Sequence, residues 1–309
     1  MAHLLGNRVR YAVLGLLVVG LTTVGCGSDG STEVAQGDAV RVATDSLPAS
    51  WDRSAMLSVQ VPDGALGVGW TSGTGVVGSL RDLEGRSVEG EGDTSLVAVS
   101  VALDSSAVLA PAPARLAVVG DPERQVVLLS GGERTELDVG SLASGHVLVA
   151  GVPDASDVAL EVTFDGVTQV VGPQPDERQV PARAQSLYDG HPGDDASIEC
   201  QPAAADVSCR ADVTWLPWVA STGWAPEGQL WPVVRVEGSW PGSGGAPSVE
   251  ATLDGRTPLG QQDLGAPEEG FNHLLVFPAT SQHSSRLQLD VAGAQGDKVS
   301  GGATLLALR

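Results

Sequence analysis

Val158-Ala159-Leu160-Glu161-Val162-Thr163-Phe164-Asp165-Gly166 decides the fold class of this 309-residue chain. Val158, Leu160, Val162 and Phe164 alternate with Ala159, Glu161, Thr163 and Asp165. That period of two puts the large apolar side chains on one face of a strand. Asp165-Gly166 then supplies a tight turn. The pattern recurs at Val249, Ala251 and Leu253, set against Glu250, Thr252 and Asp254 and closing in Gly255, and again at Leu287, Leu289 and Val291. Segments 96–103, 116–119, 126–129 and 147–152 read as further strands, some apolar throughout as expected of a sandwich interior. With 40 glycines and 19 prolines the chain is interrupted too often for long helices, and only 133–142 leaves room for a helical turn. The expected fold class is all-β.

An internal repeat sets the domain count. His146-Val147-Leu148-Val149 matches His273-Leu274-Leu275-Val276, and at the same offset Leu160-Glu161-Val162 matches Leu287-Gln288-Leu289, Gly166 matches Gly293, and Glu136-Leu137 falls on Asp263-Leu264. Upstream the register shifts, and 96–101 pairs best with 231–236. Two copies of one β-domain are expected, joined near Gly172-Pro173-Gln174-Pro175-Asp176. Each copy has the length, the short strands and the frequent turns of an immunoglobulin-like sandwich.

The N-terminus carries an address. His3, Arg8 and Arg10 precede an apolar run from Tyr11 to Val24, which is too short to span a bilayer and reads as a secretory signal peptide. Thr23-Val24-Gly25-Cys26, followed by a polar tract, resembles the lipobox of bacterial lipoproteins, with Thr23 where that family usually has Leu. The resemblance implies cleavage before Cys26 and acylation of its thiol by diacylglycerol. The Ala-, Gly- and Val-rich composition, with Lys298 the single lysine, looks like that of a high-GC actinobacterial genome. Leu96 to Val101 and Gly228 to Val236 resemble the strand pattern of exported actinobacterial lipoproteins that carry immunoglobulin-like domains. That likeness implies a cell-surface location and a non-catalytic role, and it supplies no active-site residues. The expected organisation is a signal peptide at 1–25, a lipidated Cys26 and flexible tether at 26–50, a first sandwich at 51–178 and a second at 179–309.

Composition narrows the partners. A formal net charge of -21 repels nucleic acid and anionic headgroups, so no nucleic-acid partner is expected. Beyond Cys26 only Cys200 and Cys209 remain, and an isolated pair in an exported chain reads as one disulfide. A metal site shared with His191 fails for want of further ligands.

The search for chemistry returns little. No Gly-x-Ser-x-Gly, Ser-x-x-Lys or His-Glu-x-x-His motif is present. Gly67-Val68-Gly69 and Gly73-Thr74-Gly75 read as a Gly-rich turn region, since no helix follows to make a phosphate loop. Segment 189–195 has acidic oxygens without the spacing of a calcium loop and reads as a solvated linker. His146 and His273 hold equivalent places in the two copies, which a shared structural role explains. No cofactor, metal or catalytic residue is expected.

Five of the seven tryptophans fall between Trp215 and Trp240. Trp215, Trp218 and Trp224 lie in a Pro- and Gly-rich stretch that resembles a connecting loop. They are either packing that caps the sandwich or an exposed face for an envelope protein or a glycan. The expected function is a membrane-tethered binding or assembly module of the cell envelope. The alternatives are a carbohydrate-binding module and a glycan hydrolase working through paired carboxylates.

Overall fold

The computed structural model describes residues 30–43, 55–72, 80–107, 110, 114–138, 146–172, 174, 176–189, 196–199, 208–240, 247–266, 270–281, 284–293 and 298–306. The signal peptide, Cys26 and Cys200 lie outside the described residues. Ser31–Arg309 forms one compact unit, and its architecture is all-β.

The first half contains β1 (Ser31–Val34), β2 (Ala39–Ala43), β3 (Ala55–Val61), β4 (Gly64–Ser72), β5 (Ser87–Gly90) and β6 (Ser95–Asp104). A single helical turn, α1 (Arg115–Val118), follows, then β7 (Arg124–Ser130), β8 (Glu133–Leu137), β9 (His146–Val152), β10 (Ala159–Phe164), β11 (Val167–Val171) and β12 (Arg178–Gln179). One sheet runs β2-β9-β6-β4-β3 and the other β12-β11-β10-β7-β8, with β1 and β5 paired in parallel as a small third sheet. The opening nonapeptide behaves as its period demands. Val158, Leu160, Val162 and Phe164 are buried, while Ala159, Glu161 and Thr163 are half-buried and Asp165 is exposed. Together with Leu57, Val68, Val99, Leu128 and Leu148 they fill the space between the two sheets.

The second half contains β13 (Ala196–Glu199), β14 (Ser208–Leu216), β15 (Trp218–Val219), β16 (Gly223–Trp224), β17 (Trp231–Ser239), β18 (Ser248–Leu253), β19 (Gly260–Asp263), β20 (Gly270–Val276), β21 (Ser284–Ala292) and β22 (Lys298–Leu306). Its sheets run β13-β14-β17-β20-β19 and β18-β21-β22, with β15 and β16 as a two-stranded hairpin. Val213, Trp215, Val234, Leu275 and Phe277 face Val249, Leu253, Leu287, Leu289 and Val291 across a second core.

The ladders reproduce both registers of the repeat. In the first half Ala98 pairs with Val149 and Val99 with Leu148; in the second, Val233 pairs with Val276 and Val234 with Leu275. The shift between upstream and downstream matches is therefore a length difference in the intervening connections, with the pairing of the central strands kept.

Several expectations are corrected. Segment 116–119 belongs to the helical turn α1 and its exit, because four apolar residues are too few for periodicity to separate strand from helix. Segment 133–142 begins as the strand β8. Gly131 and Gly132, with φ of 55° and 87°, make a tight turn that returns the chain onto β7 and buries Thr135 and Leu137. Gly67-Val68-Gly69 sits inside β4, where Val68 is fully buried and both glycines take part in the ladder; Gly73-Thr74-Gly75 lies outside the described residues. The tether expected over 26–50 contains β1 and β2, which pair with β5 and β9. The boundary expected at 178 falls within the first half. Arg178 and Gln179 pair with β11, and the segment after them packs Ala184 and Leu187 on Val167 while Tyr188 donates a 2.6 Å hydrogen bond to Gln169.

One element changes partner between the copies. β8 folds back on β7, whereas β19, at the matching place in sequence, crosses to β20. In the first half the slot beside β9 is already filled by the N-terminal strand β2, so β8 finds its hydrogen bonds on the opposite sheet.

A candidate binding surface at the joint between the sandwiches

The tryptophans meet at the joint. β14 ends at Leu216, Pro217 turns the chain, and the hairpin β15–β16 follows with Trp218 opposite Trp224. Gly223, at a φ of 80°, closes the hairpin in a conformation that favours glycine. This hairpin lies against the tip of β10–β11 in the first half. Trp218 is 2 % exposed; its indole N–H donates to the Asp165 carboxylate at 2.6 Å, and its ring stands edge-on to Phe164 at 5.1 Å. Trp224 is half-buried; its N–H donates to the Phe164 carbonyl at 2.9 Å and its ring meets Phe164 edge-on at 6.0 Å. Edge-to-face pairs at these distances add about 0.5–1.5 kcal/mol beyond the area they bury. Arg124, ion-paired with Asp63, lies over the Phe164 ring at 5.5 Å.

A backbone contact completes the joint. Ala220 in the hairpin turn donates to the Ala117 carbonyl of α1 at 2.8 Å. A Cβ on Gly120 would come within 2.9 Å of the Ala220 side chain, so glycine lets the two halves approach. Trp231 is half-buried against the same cluster, its N–H on the Gly223 carbonyl at 2.9 Å. Trp215 is 3 % exposed and belongs to the second core.

Trp215 and Trp218 thus offer no exposed recognition face, and Trp224 spends its polar edge on the first sandwich. The stretch that resembles a connecting loop is a hairpin wedged into the neighbouring half. The placement of Trp218 and Trp224 depends on surface supplied 53 and 60 residues upstream, which no local pattern reveals.

The repeat explains why a joint is needed. Leu96, Ala98, Val147 and Val149 form an apolar patch on the outer face of the first half's β6 and β9, and Trp231, Val233, Leu274 and Val276 are their counterparts on β17 and β20. In the first half the patch is covered by Val34 of β1, Leu80 and Val88 of β5. In the second half it packs into the joint against the first sandwich.

That second covering is incomplete. A groove of about 390 Å³ remains between α1 and β19, lined by Leu116, Ala117, Val119, Gly260, Leu274 and Val276 among others. Leu116, Val119 and Leu259, three of the five exposed large apolar residues among those described, lie in this groove or directly beside it.

The remaining candidates separate as follows. Cys209 is buried and disulfide-bonded, and Glu199 opposite Arg210 is the last described pair of the ladder beside it. His273 lies with Nδ1 4.0 Å from the Asp263 carboxylate; of His146 only the strand position is described. Asp189 accepts a hydrogen bond from Gln185 at 3.1 Å, and 190–195 lies outside the described residues. Among the described residues no group of three or more His, Cys, Asp or Glu could hold a metal ion, and no helix is long and apolar enough to cross a membrane. No protein-family model and no curated protein matches the chain.

Proposed function

We propose that this chain is a lipid-anchored protein of the cell envelope whose two immunoglobulin-like sandwiches serve as a rigid, non-catalytic binding or assembly module. The observation that supports the reading most is the joint. Aromatic, hydrogen-bonded and backbone contacts fasten the halves together and leave an apolar groove between them. A scaffold that presents one surface at fixed geometry loses little entropy on binding. The buried tryptophans supply no stacking platform for a sugar, so the carbohydrate-binding alternative loses the feature that suggested it. Within this reading Cys26 carries the lipid and Cys200 bonds to Cys209, clipping β13 to β14.

Two measurements test the proposal together. Intact-mass analysis of the mature protein is expected to show Cys26 as the first residue, carrying acyl chains, and Cys26→Ser is expected to release or strand the protein. Turnover assays on peptidoglycan and arabinogalactan-type glycans are expected to show no hydrolysis. An unmodified Cys26 removes the anchor, and hydrolysis moves the protein to the rival glycosidase reading.

A further inference from the structure

The groove at the joint has a free strand edge along one wall. β19 ends its sheet, and among the described residues no strand pairs with its outer side. Leu264 donates to Asn272, which makes them a bonded pair of the antiparallel ladder. By the alternation of such a ladder the N–H and C=O of Gln261 then point away from β20, toward the open side. Gly260 sits on the groove wall opposite Val276, at an ordinary φ, and a Cβ placed on it would meet nothing within 4 Å. Free backbone groups beside an apolar trough are the two parts that strand addition uses: the main chain gives affinity, and pockets for alternate side chains give specificity.

The first copy shows what covers the matching face. There Val147 and Val149 are buried under side chains delivered on extended chain: Val34 from β1 and Val88 from β5. In the second copy Leu274 and Val276 take those positions, and among the described residues the helical turn and the hairpin tip face them across the groove. Charge selects the visitor. None of the groove's lining residues is charged; Asp263 lies on the other face of β19 beside His273, Arg115 is exposed next to Leu116 in α1, and the whole chain carries a formal net charge of -21. A second copy of the chain meets repulsion, whereas a cationic segment is drawn in.

We propose that the groove between α1 and β19 docks an extended segment of a partner polypeptide, aliphatic on one face and bearing Lys or Arg on the other, which adds as a strand to the free edge at Gln261. The proposal rests on the binding-module reading but not on the anchor, so the two fail separately. The test uses the full exported chain in detergent and three synthetic octapeptides: alternating Val and Lys, alternating Val and Glu, and the Val-Lys peptide N-methylated at alternate backbone nitrogens.

The Val-Lys peptide is expected to bind and to slow amide exchange at Gln261, while the other two bind at least about tenfold more weakly. Gly260→Trp, which fills the groove mouth, is expected to weaken binding by a similar factor with the thermal unfolding midpoint unchanged. Val119→Lys, at a position 68 % exposed, provides a second variant that replaces apolar surface with a repelling charge and is expected to do the same. The idea is overturned if Gln261 stays unprotected at saturating peptide or if both variants bind normally. It is overturned equally if sedimentation shows the chain dimerising through this edge and Gly260→Trp dissolves the dimer, since a second copy is then the occupant.

Discussion

Asp165 and Trp218 show how much rests on a single pair of side chains. Asp165 turns the β10–β11 hairpin at a φ of 47° and also accepts the Trp218 indole across the joint. Truncating Trp218 to Ala removes a buried ring from Phe164 and leaves the carboxylate without its donor; a loss of about 3–5 kcal/mol is expected. Urea unfolding should then separate into two transitions as the halves uncouple, whereas Trp215→Ala, confined to the second core, should lower that half alone. A single unshifted transition for Trp218→Ala contradicts the role given to it. Asp82 invites a different measurement. Burial pushes its carboxyl upward, but hydrogen bonds from the Thr32 hydroxyl, the Arg86 N–H, the Arg86 guanidinium and the Glu84 N–H outweigh that and hold it at about 2. A pKa depressed in the folded state contributes stability that is present above the unfolded value of about 4 and disappears as pH falls toward 2. The stability gap between the wild type and Asp82→Asn should therefore narrow across that window, which chemical denaturation at several pH values can follow.

At the scale of elements, inward faces were legible and edges were not. Period two identified β10, β18 and β21, and the repeat identified which central strands correspond, because those signals are written in the segments themselves. Edge positions are decided by competition. β2 claims the slot beside β9, which sends β8 to β7, and nothing within Glu133–Leu137 encodes that contest. The tryptophan hairpin follows the same rule: aromatic content can be read from sequence, and packing is one of the two readings it allows, but the surface that buries Trp218 comes from the other half. The return of β8 rests on its turn. A Cβ on Gly132 would meet no atom, yet its φ of 87° is costly for other residues. Gly132→Ala is accordingly expected to cost about 1–2 kcal/mol through backbone strain alone. Equilibrium unfolding checks this, and an unchanged midpoint shows that the turn has relaxed into another type.

The whole molecule solves one problem twice. Each copy carries an apolar patch on its outer face; the first is covered by Val34 of β1 together with Leu80 and Val88, the second by its sibling. The consequence is a rule for growth. A protomer that offers one apolar face and accepts another elsewhere is a unit of a head-to-tail filament unless one end is stopped. β1 and β5 are that stopper, and they leave the array at two sandwiches. Replacing both 31–34 and 87–90 with Gly-Ser segments should strip most of the cover from Leu96, Ala98, Val147 and Val149. With the repulsion of -21 charges screened by salt, sedimentation should then reveal open-ended oligomers where the intact chain gives none. A cap of two short paired strands thus keeps a tandem repeat from becoming a polymer.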